Sequence, residues 1–465
     1  MNIDYGNVFC SFNRDDHDKI RDSCRFKREI FTRGNFGMNK DVVDDTMIKS
    51  HKFLTGLLSR VIDYCNNKNI PVEMNSTKST RFLAQPTISL TGITLRPDQS
   101  KAIYQACTLQ RGIIKAPTGS GKTVVAAGIC ATFPLARILF LCHTLDLLTQ
   151  TYDEFNALGL KNVLMLGGGK SLYPQQIEQE CIVVATIQTL HQLEPAQFKN
   201  FDMVIVDECH HVTAGRLIKG KVIKSSYASF LESVNIPIRI GLTATPPSDQ
   251  HKLLFVEGYL GPMIAELTIE EGMKMGIIAR PIIDLIPVPY ITRIGELKSY
   301  RDIYRQGIIE NKTRNHLILE YAFDAVDKEL SVLILTGKET DHGHILKQMA
   351  ADAFDREVAF LYGLTSKEKR TEYKNRLKSR ELKIAIANII WYEGVNIPPI
   401  DIIINAEGGR ASGKTLQKVG RGLRTAEGKD KLIIVDFLDP YKYLSHHCVL
   451  RLNTYAEQGW LKPSF

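Results

Sequence analysis

The chain has 465 residues, of which 44% are hydrophobic and 24% charged, and carries a formal net charge of +8. This length can bury at least two full cores, and the ordinary apolar content excludes a disordered or fibrous chain. No apolar stretch reaches the ~20 residues of a membrane span, and the nine cysteines are scattered without a Cys-x-x-Cys pair. The cysteine pattern fits a reducing compartment, and Met1-Asn-Ile-Asp-Tyr-Gly6 lacks a signal pattern, so a cytoplasmic location without membrane attachment is expected. The positive balance suits a polyanionic partner, and equally a mildly basic solvated surface.

Residues 1–88 lack regular strand–helix alternation and are expected to form a small N-terminal domain. A basic run from Lys19 to Arg28, followed by Arg33 and Lys40, is interleaved with Phe26, Phe31 and Phe36. Aromatics among cations can stack on bases, but these phenylalanines are better read as core under solvated lysines. The domain as a whole is expected to bind DNA. From His51 to Asn66 the spacing of Phe53, Leu54, Leu57, Leu58, Val61 and Ile62 predicts a helix.

Residues 89–289 alternate between strand and helix patterns. Runs at 112–115, 137–142, 181–185, 203–206 and 238–242 predict buried parallel strands. A helix is expected over 145–158. Between the first strand and a small-residue helix lies Ala116-Pro117-Thr118-Gly119-Ser120-Gly121-Lys122-Thr123. Strand, glycine-bearing loop and helix in that order make a phosphate cradle: backbone N–H groups wrap the β-phosphate at a helix start. Lys122 supplies charge to the β/γ oxygens and the Thr123 hydroxyl a Mg²⁺ ligand. The strict pattern has glycine where this chain has Ala116. Downstream, a strand ends in Asp207-Glu208, which places Asp207 toward the metal and Glu208 where it can polarise water. Either segment alone is weak; together they predict a triphosphate site.

Residues 281–289 predict an extended linker or edge strand. In residues 290–465, further strands are expected at 331–335, 358–361, 383–387, 400–404 and 431–435, without a second phosphate loop. In Gln417-Lys-Val-Gly-Arg421-Gly-Leu-Arg424 the two arginines share a helix face with Gln417. Two permanent bidentate cations suit a γ-phosphate whose charge spreads in the transition state. Cys209-His210-His211 and His446-His447-Cys448 each lack a second ligand pair at usable spacing, so no structural zinc is expected.

These segments, in this order, resemble the superfamily 2 helicases, and within them the phage UvsW-type and XPB/RecG-like DNA helicases. Residues 116–123 resemble motif I and Asp207-Glu-Cys-His210 motif II. Residues 143–150 resemble motif Ia, with His143 in place of a usual proline. Residues 185–189 resemble the next DNA-contacting motif, Thr243-Ala-Thr-Pro246 motif III, residues 392–398 motif V and residues 417–424 motif VI. The resemblance implies two tandem RecA-like parallel-sheet domains, 89–289 and 290–465, with ATP in the cleft between them. It implies that Arg96 and Gln99 read the adenine, that Gly394 and Asn396 join the ATP site, and that Gln417, Arg421 and Arg424 are catalytic. Thr144, Thr186, Gln188, Thr189 and Thr336 are the implied strand contacts. ATP and Mg²⁺ are the implied cofactors, and forked or branched DNA the implied partner. The Asp-Glu-Cys-His sequence separates the chain from Asp-Glu-Ala-Asp RNA helicases. An RNA helicase on the same scaffold and an ATP-switched binding protein without unwinding are the alternatives.

Overall fold

A run of Val, Ile and Leu with no polar alternation is stable as a strand only when both sheet faces are covered. That is the case for Ile138–Cys142, Ile182–Thr186, Met203–Val206 and Ile238–Thr243, whose residues are all buried. The computed structural model describes residues 1–34, 37–75, 89–169, 181–213, 216–218, 221–247, 249–337, 339–388, 400–409, 431–457 and 459–461. Two compact units result: Met1–Ala116 with Gly121–Leu267, and Thr268–Phe465 with Pro117–Ser120.

The first unit is built on a seven-stranded sheet in the order Met263–Glu266, Arg111–Lys115, Ile238–Thr243, Met203–Val206, Ile138–Cys142, Ile182–Thr186, Val163–Leu166. Every neighbouring pair is parallel. The two outermost strands were not expected as strands, because each is four residues long and only partly buried. One face packs Ile114, Ile138, Phe140, Val184 and Ile205 into a core beneath the helices Pro97–Leu109, Lys122–Thr132 and Leu145–Ala157. The other face carries Ile113, Leu139, Leu141, Val183, Val204 and Val206.

The N-terminal residues share that second core. Ile3, Cys10, Phe12, Ile20, Phe53, Leu57 and Val61 lie in the same apolar cluster as the sheet. Ile3, Cys10, Phe12 and Phe53 come from a four-stranded sheet in the order Lys52–Leu54, Phe9–Phe12, Asn2–Asp4, Glu73–Met74, and Ile20, Leu57 and Val61 from the helical segments beside it. The small N-terminal domain forms an added layer of the first unit. The expected helix from His51 starts only at Leu58, because Phe53 and Leu54 pair antiparallel with Cys10 and Phe9. Phe26 is buried and stacks on His251 at 4.2 Å, as a core residue. A long hairpin, Arg25–Gly34 with Gly37–Thr46, leaves this layer; the side chain of Phe31, and Phe36 altogether, lie outside the described residues. A Cβ on Gly56 would collide with the Glu257 carbonyl, so only glycine permits the approach of this layer to helix Gln250–Leu260. Arg60 closes the same seam with a 2.7 Å ion pair to Glu257.

Two arginines sit side by side at the start of the first sheet, where Arg111 and Arg239 are register partners. Both are buried, and burial pushes both guanidiniums below their usual range. Helix C-termini compensate. Arg111 donates to the Tyr259 carbonyl (3.1 Å) in the last turn of Gln250–Leu260, and to Asn7 O (2.6 Å) in the N-terminal layer. Arg239 donates to Val234 O (2.8 Å), which caps helix Ser226–Ser233, and to Ile236 O (2.9 Å). The negative ends of two helices thus supply acceptors for both guanidiniums, where no carboxylate does among the described residues.

The second unit holds a six-stranded parallel sheet in the order Arg280–Pro287, Lys431–Leu438, Ile402–Asn405, Val332–Thr336, Ile384–Asn388, Ala359–Leu361. Arg280–Pro287 pairs along its whole length with Lys431–Leu438, so it is an edge strand of this sheet. The expected boundary at residue 289 is corrected accordingly: the units divide at Leu267/Thr268.

At the end of this sheet Arg314 donates to Asp439 at 2.8 Å, both side chains 0% exposed, and also to Ala406 O at 2.9 Å. Burial pushes the Asp439 carboxyl up, against the pull of Arg314. Removing one partner leaves the other charge buried and unpaired. Arg314→Ala should cost ~3–5 kcal/mol of stability, read as a lowered denaturation midpoint; a loss below ~1 kcal/mol, the range of exposed pairs, would contradict the pairing.

Candidate active site

The loops at the C-terminal edge of the first sheet collect the residues singled out in the sequence. Arg111–Lys115 leads into Ala116, whose N–H donates to Thr243 O at 3.0 Å. Gly119 (φ +85°) and Gly121 (φ +88°) take the left-handed conformation that turns the chain back into helix Lys122–Thr132. The Ser120 hydroxyl donates to Pro117 O at 2.7 Å and braces the turn. Lys122 Nζ donates to Ala116 O at 3.2 Å, folded over the loop it serves. The cradle is therefore preformed, with its lysine at its mouth.

Gln99 backs the cradle. Arg96 caps helix Pro97–Leu109, and the Gln99 carbonyl oxygen accepts from the Arg96 N–H at 3.1 Å. A Cβ on Gly121 would lie 2.6 Å from Gln99 Nε2. Gln99 is buried, and the Arg96 guanidinium is paired with Asp98 at 3.0 Å. In this state the pair braces the loop from behind.

The acidic pair follows the next strand but one. The Asp207 N–H donates to Leu141 O (3.0 Å), and Asp207 Oδ1 accepts from the Glu208 N–H (3.0 Å). Glu208 adopts φ +47°, an uncommon strain for a non-glycine residue, and opens the short turn Cys209–His211. His210 Nδ1 shares a hydrogen bond with Thr243 Oγ1 at 3.0 Å and lies 3.4 Å from Glu208 Oε2. That carboxylate oxygen is buried and makes no hydrogen bond of its own among the described residues. Burial pushes His210 down; Glu208 raises it, while His143 and Lys122 lower it further. The phosphate-loop lysine and the acidic turn therefore act on one another. Thr123 and Asp207 offer hydroxyl and carboxylate oxygens, the hard donors that Mg²⁺ takes.

Along the same edge, past Ile138–Cys142, Thr144 caps helix Leu145–Ala157 by accepting from the Leu147 N–H (3.3 Å). Gln188 Nε2 donates to His143 O at 3.0 Å and is exposed. Thr189 is half-buried. The other two expected strand contacts lie deeper in the fold. Thr186 is buried, caps helix Ile187–Leu190 and shares a 2.9 Å bond with Thr189. Thr336 is buried and its hydroxyl donates to Ala387 O at 3.5 Å. Gly167, Gly168 and Gly169 all adopt positive φ, and Gly167 lies against the Thr189 side chain. Gly394, Asn396, Gln417, Arg421 and Arg424 lie outside the described residues.

In spatial order, then, this edge carries the phosphate loop, Thr243, the acidic pair, Thr144 and Gln188. Residues 92–248 match the family described as Type III restriction enzyme, res subunit, and residues 314–426 the helicase conserved C-terminal domain, together more than half of the chain. The chain belongs to the superfamily 2 helicases. The DNA 3'-5' translocase XPB2 of Sulfurisphaera tokodaii is 25% identical to this helicase over 83% of its length and 90% of the relative. The ATP-dependent DNA helicase uvsW of Enterobacteria phage T4 is 24% identical over 77% and 74%. The helicase also shares its fold with the DNA-bound Type ISP restriction-modification enzyme LlaBIII (TM-score 0.59, 16% identity, covering 78% of this chain and 30% of that one). Among the described residues no group of three or more His, Cys, Asp or Glu could hold a metal ion, and no helix is long and apolar enough to cross a membrane.

Proposed function

We propose that this helicase hydrolyses ATP to translocate on DNA and to unwind or branch-migrate forked and junction substrates. The observation that carries the reading is the continuous sheet edge, on which phosphate-binding, hydrolytic and strand-facing loops stand side by side. Lys122 and the backbone of Gly119–Lys122 hold the β- and γ-phosphates, while Thr123 and Asp207 hold Mg²⁺, which neutralises phosphate charge when bound. Glu208 orients water with its carboxylate. Gln417, Arg421 and Arg424 supply charge to the γ-phosphate, with Gly394 and Asn396 contributing to nucleotide binding. Gln99 senses the adenine from behind the phosphate loop, and Arg96 presents it. Thr144, Gln188 and Thr189 hold phosphates of one strand, contacts that position without reading sequence. The basic N-terminal layer is proposed to engage the duplex arm, and the cytoplasm is the proposed site of action.

Comparing ATPase stimulation by single-stranded, forked and four-way DNA with RNA of equal length tests the reading. Stimulation by DNA, with strand displacement on forks, is expected. Stimulation by RNA alone would replace it with an RNA helicase, and nucleotide-dependent DNA binding without turnover would make the protein a switch.

A further inference from the structure

His143 and His211 belong to different loops of the sheet edge, yet their rings stack face to face. The centroids lie 4.1 Å apart and the planes are 12° from parallel. Tyr227, buried on helix Ser226–Ser233, lies near-parallel to both, at 6.4 Å from His143 and 6.3 Å from His211. Burial pushes His211 down to about 3. The arrangement gains from the offset contact of aromatic rings rather than from charge.

Each end of the stack reaches a different part of the reaction. The His143 carbonyl is held by Gln188 (3.0 Å) and its chain neighbour Thr144 caps the next helix, so any strand seated on Thr144 and Gln188 bears on His143. At the other end, the His211 ring touches that of His210 at 4.4 Å. His210 in turn is bonded to Thr243 and lies 3.4 Å from Glu208. The short turn carrying both histidines is entered through Glu208 at φ +47°, so moving the turn moves the carboxylate.

We infer that the His143–His211 ring stack is the coupling element by which a bound strand sets the position of Glu208. His143 and His211 are positioning residues: neither touches nucleotide or strand, and each acts through its neighbour. The inference rests on the proposed DNA-stimulated ATPase and assigns its regulation to named side chains.

The test compares His143→Ala, His211→Ala, His143→Phe and His211→Phe in the full chain. ATP turnover is measured without DNA and with saturating single-stranded DNA, and DNA affinity separately. The alanine variants should keep unstimulated turnover and DNA affinity within about twofold and lose about tenfold in DNA stimulation. The phenylalanine variants, which keep a stackable face, should retain stimulation. Alanine variants stimulated like the wild type would overturn the coupling while leaving the DNA reading intact. Equal loss of stimulated and unstimulated turnover, or failure of phenylalanine to rescue, would make the stack structural and also overturn it. A wild-type protein that single-stranded DNA does not stimulate would overturn the DNA reading itself, and the coupling with it.

Discussion

Lys122→Ala should abolish ATP turnover, with kcat/KM reduced by at least ~10²–10³, the loss typical of removing one preorganised donor from a developing charge. The fold should survive the change. Lys122 is the first residue of helix Lys122–Thr132, and its ammonium donates to the loop's own Ala116 carbonyl at 3.2 Å. Alanine is the better helix former and removes no core contact there. The effect should be confined to the nucleotide side. Thr144, Gln188 and Thr189 lie beyond two intervening strands of the sheet, so DNA affinity at low salt should stay within about twofold, since phosphate contacts elsewhere carry it. Measuring steady-state ATPase beside filter-binding or anisotropy titrations separates the two. Unchanged turnover would remove the phosphate-loop assignment; parallel loss of DNA binding would mean that the loop holds the edge together.

Much of this site could be seen before any coordinates, and the reasons are local. A phosphate loop needs glycines at fixed positions because the backbone must reach φ near +85°, and Gly119 and Gly121 announce that in one dimension. Doubly covered strands announce themselves as unbroken apolar runs, which is why 138–142 or 332–336 lie within a residue of expectation. What the sequence left open depended on three-dimensional neighbours. A threonine at a strand end looks the same whether its hydroxyl meets a ligand or, like Thr186 and Thr336, a helix cap or a neighbouring carbonyl. The edge strand Arg280–Pro287 carries two prolines, so the sequence left it open between linker and edge strand; its pairing to Lys431–Leu438 depends on a segment about 150 residues later in the sequence. The phenylalanine at position 53 fits a helical spacing with Leu57, yet pairing with Phe9–Phe12 won it for a strand. The His143–His211–Tyr227 stack joins three distant segments with no shared spacing, so no pattern search along the chain would find it.

Arg421→Ala should lower kcat by ~10³–10⁵ while changing ATP affinity only a few-fold, the signature of a cation that counts chiefly in the transition state. The physical reason is the distribution of charge. On the proposed reading Lys122 and the backbone cradle already meet the β/γ oxygens in the ground state; what grows during transfer is charge spread over the equatorial γ oxygens, which a planar guanidinium can meet with two N–H groups at once. Arg421→Lys should therefore restore little, because an ammonium is a point donor without that fork. The prediction also constrains Glu208. If water orientation by Glu208 and charge stabilisation by Arg421 serve one transition state, Glu208→Gln and Arg421→Ala together should cost clearly less than the product of their separate losses. Fully multiplicative losses would mean that the two residues govern different steps, with Arg421 then belonging to nucleotide binding or to a conformational step rather than to the chemistry. An affinity loss without a kcat loss would place it there directly.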